Sequence, residues 1–243
     1  MNGMTIDPAL NLLLISTSTV YGTQYLDHAE EEIRGLLRGV TRILFVPYAL
    51  ADHAAYAEKV RKRFSLMRIE VSSVHEAELA AGDSAAAAIA RAEAIFIGGG
   101  NSFRLAKALQ EKQLLDPIRR RVRAGMPYMG ASAGSNIACP TIRTTNDMPI
   151  VEPASLEALG LFPWQINPHY VDADPESRHM GETREERLLQ YLEENEVPAI
   201  GLREGSMVRV KEGEAWLRGS RGARLFRRGA EPEELMPPVR LEI

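Results

Sequence analysis

Short, almost wholly apolar runs separated by stretches of helical period constrain this chain more than any other feature. They fall at residues 12–15, 43–46, 69–71, 94–97 and 128–129, and each is too short for a buried helix. A strand reads as a continuous apolar run when helices cover both of its faces, which is the situation in a parallel sheet. Between the runs the apolar positions fall three and four apart. Asp27 with Glu30 has the form of a capping box ahead of Ile33, Leu36 and Leu37, and Gly39 suits the stop. Asp116-Pro117 opens another helix, with Ile118 and Val122 on one face and Gly125 at its end. Arg119, Arg120, Arg121 and Arg123 read as the solvated side of that helix. Strand–helix–strand repetition implies right-handed crossovers and a doubly wound, mostly parallel α/β sheet.

Beyond Gly205 the texture changes. Residues 207–210 and 215–217 flank a turn at Gly213, and 224–226 follow Gly222, a pattern expected of C-terminal β-hairpins. There is no fixed-period repeat and no long linker, so residues 1–243 are expected to form a single domain. Net charge is −4, a poor basis for general phosphate-backbone binding, so nucleic acid is not the expected partner. Cys139 is the one cysteine, which excludes an intrachain disulfide. No apolar run approaches the roughly 18–20 residues that cross a bilayer. No basic segment precedes an apolar run at the N-terminus, so no membrane association and a cytoplasmic location are expected.

Chemistry concentrates where the runs end. Gly130-Ala131-Ser132-Ala133-Gly134 follows the fifth run and precedes a short helical stretch stopped by Pro140. Small residues around a serine permit a sharp strand–turn–helix elbow that lifts the hydroxyl above the sheet edge. Gly98-Gly99-Gly100-Asn101 follows the fourth run. It lacks the spacing of a nucleotide loop, but Gly99 and Gly100 suit half of an oxyanion hole, with the amide of Ala133 as the other half.

A serine nucleophile needs a base and an orienting acid. His169 ends 164–170, an apolar strand broken by Pro168, and so shares the strand-end position of Ser132. His28, His53 and His75 fall in or beside helical patterns, where surface placement is expected, and His179 falls in a charged loop. Two acids compete: Asp147, in the loop after the elbow, and Glu204, which follows 198–202 and would share a rim with Ser132 and His169. The polar run His169, Asp172, Asp174, Glu176 and His179 has no metal-ligand spacing, and neither metal nor cofactor is expected.

The blocks 98–101, 130–136, 141–149, 165–169 and 181–185 together resemble the peptidase E (alpha-aspartyl dipeptidase) family of serine peptidases. The resemblance implies a class I glutamine amidotransferase-like (flavodoxin-like) fold and hydrolysis of dipeptides with an N-terminal L-aspartate. It implies Ser132 as nucleophile and His169 as base, with Asp147 or Glu204 as the acid. Such a substrate carries a side-chain carboxylate and a free amine. Arg184, in the first turn of a helix that Thr183 and Glu186 can cap, is the expected cation, with Arg143 and Arg178 as alternatives. Asp147 or Glu182 is expected to meet the amine. Ala131 and Ser135 depart from the residues expected in relatives and are expected to reshape the pocket. A cyanophycinase-like beta-aspartyl peptidase and an alpha/beta-hydrolase esterase are the rival readings. An esterase would place its histidine close to the C-terminus, unlike His169. A class I amidotransferase would need cysteine at the elbow, and Cys139 lies past it. A small peptide is the expected partner, and monomer and homodimer both stay open.

Overall fold

In this computed structural model, residues 5–243 are described except 81, 82, 175, 177 and 179. The apolar runs form β1 (Leu12–Ile15), β2 (Arg42–Val46), β3 (Glu70–Ser73), β4 (Ile95–Ile97) and β5 (Tyr128–Ala131). They pair in parallel, in the order β1-β5-β4-β2-β3. Between them lie α1 (Glu30–Leu36), α2 (His53–Ser65), α3 (Val74–Leu79), α4 (Ala85–Arg91), α5 (Ser102–Glu111) and α6 (Leu115–Arg123).

Alternation along each strand divides the core in two. Leu12, Leu14, Leu44, Val46, Ile95 and Ile97 face one apolar layer, packed with Leu105, Leu109, Ile118 and Val122 of α5 and α6. Leu13, Ile15, Ile43, Phe45 and Phe96 face the other, packed with Ile33 and Leu36 of α1 and with Tyr56, Val60 and Phe64 of α2. The sheet is therefore covered on both faces, which is why β1, β2, β4 and β5 lack polar alternation, while the edge strand β3, Glu70-Val71-Ser72-Ser73, is partly exposed.

The remainder comprises α7 (Ala133–Asn136), β6 (Gln165–Asn167), α8 (Arg184–Glu194), β7 (Ala199–Leu202), β8 (Ser206–Lys211), β9 (Glu214–Gly219), β10 (Ala223–Phe226), β11 (Glu233–Leu235) and β12 (Val239–Arg240). The C-terminal strands divide between two sheets. β8 runs antiparallel to β1 and carries β9 and β12, making the main sheet eight-stranded. β10 and β11 join β7 and β6 in a second, four-stranded sheet.

Two local expectations fail. Asp27 belongs to a 3-10 turn, Asp27–Ala29, and its carboxylate accepts from Gln24 N, so no capping box opens α1. The ring nitrogens of His28 are buried and unpaired rather than solvated. Thr183 and Glu186 do form the capping box expected of α8.

Candidate active site

Ser132 sits between β5 and α7 with φ 52° and ψ −112°, a backbone region that side chains other than glycine rarely adopt. The flanking glycines make the turn possible through close approach. A Cβ on Gly130 would lie 2.2 Å from the Gly134 carbonyl, and one on Gly134 would lie 2.0 Å from the Ile97 carbonyl. Ser132 N donates to Ile15 O at 2.9 Å, which ties the strained residue to β1. Beneath the turn, buried Ser135 has its hydroxyl 2.7 Å from Ile15 O and 2.9 Å from Gly130 O. Ala131 is equally buried, in the layer shared with α1 and α2. Both therefore shape the support of the elbow, not the pocket wall expected from the sequence.

The glycine loop after β4 packs directly on this elbow. A Cβ on Gly99 would come within 3.0 Å of Ser132 Cβ. Gly100 has φ +137°, and a Cβ there would lie 2.5 Å from the Ala49 carbonyl, the same carbonyl that accepts from Asn101 N at 2.9 Å. Tyr56 of α2 presses on Gly98, where a Cβ would meet its hydroxyl at 2.4 Å. Burial raises the Tyr56 pKa, so the hydroxyl stays neutral against the loop.

His169 arrives from the second sheet. Its Nε2 lies 2.9 Å from Ser132 Oγ, and its Nδ1 lies 2.8 Å from Glu204 Oε1. The imidazole is 38 % exposed and the Glu204 side chain 49 % exposed, so water reaches both. The backbone of His169 is itself left-handed, φ 53°. It is held by Ser16, whose buried hydroxyl accepts from His169 N at 3.0 Å and donates to Leu202 O at 2.8 Å. Neighbouring amides complete the frame. Asn146 Nδ2 donates to Pro168 O, Asn167 Nδ2 to Thr144 O, and Asn136 Nδ2 to Ile166 O. Arg203, next to Glu204, donates to both oxygens of Asp172 at 2.7 Å and also pairs with Glu234. That guanidinium lowers the Asp172 pKa. Sequence reasoning passed over Ser16, Asn136, Asn146, Asn167 and Arg203. Their signal is weak, because each works through hydrogen bonds to partners distant in the chain.

The other expected site residues separate. Asp147 does not bond to His169. Its Oδ2 accepts from Ser102 N at 2.7 Å and from Thr145 Oγ1 at 3.0 Å, joining its loop to the start of α5 just after the glycine loop. Asp147 nonetheless borders a cleft of about 660 Å³ that also reaches Ser132, His169, Gly99 and Gly100. Arg184 and Glu182 border a different depression, with Asp172 and Asp174, and the structure does not bring them to Ser132. The reason is local: the N-terminus of α8 borders residues 171–174 and 181–183 rather than the elbow. Arg143 is exposed and lines neither. Arg178 is also exposed, and His179 lies outside the described residues. Cys139 is buried, and burial pushes its thiol pKa up, so no thiolate is presented. Among the described residues no three His, Cys, Asp or Glu side chains gather as a metal site would require, and no helix is long and apolar enough to cross a membrane.

Comparison with known proteins gives a consistent neighbourhood. The model for peptidase family S51 matches residues 12–218. A Streptomyces coelicolor protein named peptidase E is 56% identical over 226 residues, covering 93% of this chain and 91% of that protein. A Drosophila melanogaster protein named a probable alpha-aspartyl dipeptidase is 46% identical over 232 residues, covering 94% and 95%. The crystal structure of a peptidase from an acI-B1 Actinobacterium superposes with a TM-score of 0.67 at 17% identity, covering 99% of this chain and 98% of that one, a likeness of fold.

Proposed function

We propose, since this chain belongs to peptidase family S51, that the serine dipeptidase acts on dipeptides with an N-terminal L-aspartate and does so through Ser132, His169 and Glu204. The observation that carries the reading is the chain of contacts from Ser132 Oγ to His169 Nε2 at 2.9 Å and from His169 Nδ1 to Glu204 Oε1 at 2.8 Å. With Nδ1–H donating to the carboxylate, Nε2 is left as the acceptor of the serine proton. Ser132 Oγ then attacks the scissile carbonyl as His169 takes that proton. The developing oxyanion is met by the amide of Ala133 and the backbone of Gly99 and Gly100. His169 next gives the proton to the leaving amine, the C–N bond breaks, and water repeats the cycle on the acyl-enzyme. Asp147 serves this chemistry at one remove, by fixing the junction of the glycine loop with α5.

The test compares wild type with Ser132→Ala on Asp-Leu, on a beta-aspartyl–arginine dipeptide and on a p-nitrophenyl ester. Turnover of Asp-Leu by wild type and its loss in the variant is the expected result. Preference for the beta-linked dipeptide, or ester turnover with Asp-Leu untouched, would overturn the substrate assignment. Equal inertness of both proteins toward all three would overturn the reading altogether.

A further inference from the structure

We propose that Lys59 is the cation that receives a substrate carboxylate in the Ser132 cleft, an assignment that rests on the dipeptidase reading above. Ala55, Tyr56 and Lys59 recur at helical spacing on one face of α2, Asp52 caps its start, and all four border the cleft. Lys59 is the one Lys or Arg among the described residues lining it. Its ammonium lies 4.4 Å from the centroid of the Tyr25 ring, an interaction that positions a cation without neutralising it. Among the described residues no carboxylate comes within 4.0 Å of it. The adjacent Glu58 turns instead toward Arg61 and Lys62. Asp52 is engaged at the helix start, where its Oδ1 accepts from Ala55 N at 2.9 Å. Tyr25 is 8% exposed, so packing fixes the ring beneath the ammonium.

A dipeptide with N-terminal aspartate brings two carboxylates, one on the aspartyl side chain and one at the C-terminus. Either meets Lys59 by the same chemistry, a charge-assisted hydrogen bond in a cleft that otherwise offers the carboxylates of Asp52 and Asp147. The ordinary account, a solvated lysine on an exposed helix face, predicts no role in binding.

Hydrolysis of Asp-Leu, Asp-Leu amide and Asn-Leu by wild type, Lys59→Met and Lys59→Arg separates the cases. Lys59 is exposed, so K59M is expected to melt like wild type, and K59R is expected to recover most of the binding. If Lys59 holds the C-terminus, K59M raises KM for Asp-Leu about tenfold and leaves that for the amide unchanged. If it holds the side chain, KM rises on both and the preference for Asp-Leu over Asn-Leu falls by a similar factor. The parallel readout is the Kd of Asp-Leu for Ser132→Ala with and without K59M, which involves no turnover. Unchanged KM and Kd in K59M, with wild type active, would overturn the assignment of Lys59 alone. An inactive wild type would overturn both it and the reading beneath it.

Discussion

Replacing Ser16 with alanine isolates one hydroxyl that joins three separate parts of the chain. Ser16 is fully buried, accepts from His169 N at 3.0 Å and donates to Leu202 O at 2.8 Å. In Ser16→Ala the two lost bonds are not equivalent. Leu202 O keeps a second donor, Tyr170 N at 2.9 Å, so its loss costs about 0.5–1 kcal/mol. His169 N loses its partner in the core, and an unpaired buried amide costs about 1–3 kcal/mol. Together these give about 1.5–4 kcal/mol, which for a chain of this size lowers Tm by roughly 3–16 °C. The same bond holds His169 at φ 53°, and an imidazole displaced by about 1 Å costs on the order of 10² in rate. We therefore expect kcat on Asp-Leu to fall about 10–100-fold with KM nearly constant, measured well below the variant's Tm. A Tm within a degree of wild type together with an unchanged kcat would refute the reasoning.

Four further outcomes are expected. Glu204→Gln should lower kcat about 10–100-fold, less than the roughly 10⁴ typical of a buried triad acid, because this carboxylate is 49% exposed and water can substitute in part. Asp147→Asn should lower kcat on Asp-Leu less than Glu204→Gln does; the reverse order would exchange their roles. Gly134→Ala should destabilise by roughly 3 kcal/mol and abolish turnover, since its Cβ would meet the Ile97 carbonyl at 2.0 Å and neither backbone can give way; chemical denaturation and Asp-Leu hydrolysis check this. His28 is held below the ordinary imidazole value of 6.5, first by burial. The folded ring binds fewer protons than the unfolded one, so its contribution is complete above about pH 6.5 and is lost as pH falls through the unfolded value toward the folded one. Urea midpoints at pH 7 and 5 should accordingly drop less in His28→Gln than in wild type, with His53, shifted the same way by burial, supplying a residual slope in both.

The parallel strands were legible because two-sided burial writes itself as uninterrupted apolar runs, and 12–15 matches β1 residue for residue. The elbow was legible because its glycines answer to contacts within a few residues and to one neighbouring strand. What escaped depends on long-range pairing. Nothing local distinguishes 223–226, which joins β7, from 206–211, which joins β1, so a second sheet could not be foreseen. Asp147 and Glu204 both stayed open as acids, with strand-end position favouring Glu204, and the fold turns one toward Ser102 N and the other toward His169. Arg184 was placed in the right turn of the right helix, yet which depression that turn borders depends on the segment before it. Ser16 lies 153 residues from the amide it serves, beyond the reach of any spacing rule.

The nucleophile closes one sheet while the imidazole and its acid close the other, so the 2.9 Å gap between them measures how the two sheets are seated. A slippage of a single ångström across that seam breaks proton transfer while the apolar layer the two sheets share stays dry. Heating should for that reason silence the enzyme some degrees before it melts, and whatever clamps the seam, substrate included, should bring the two temperatures together.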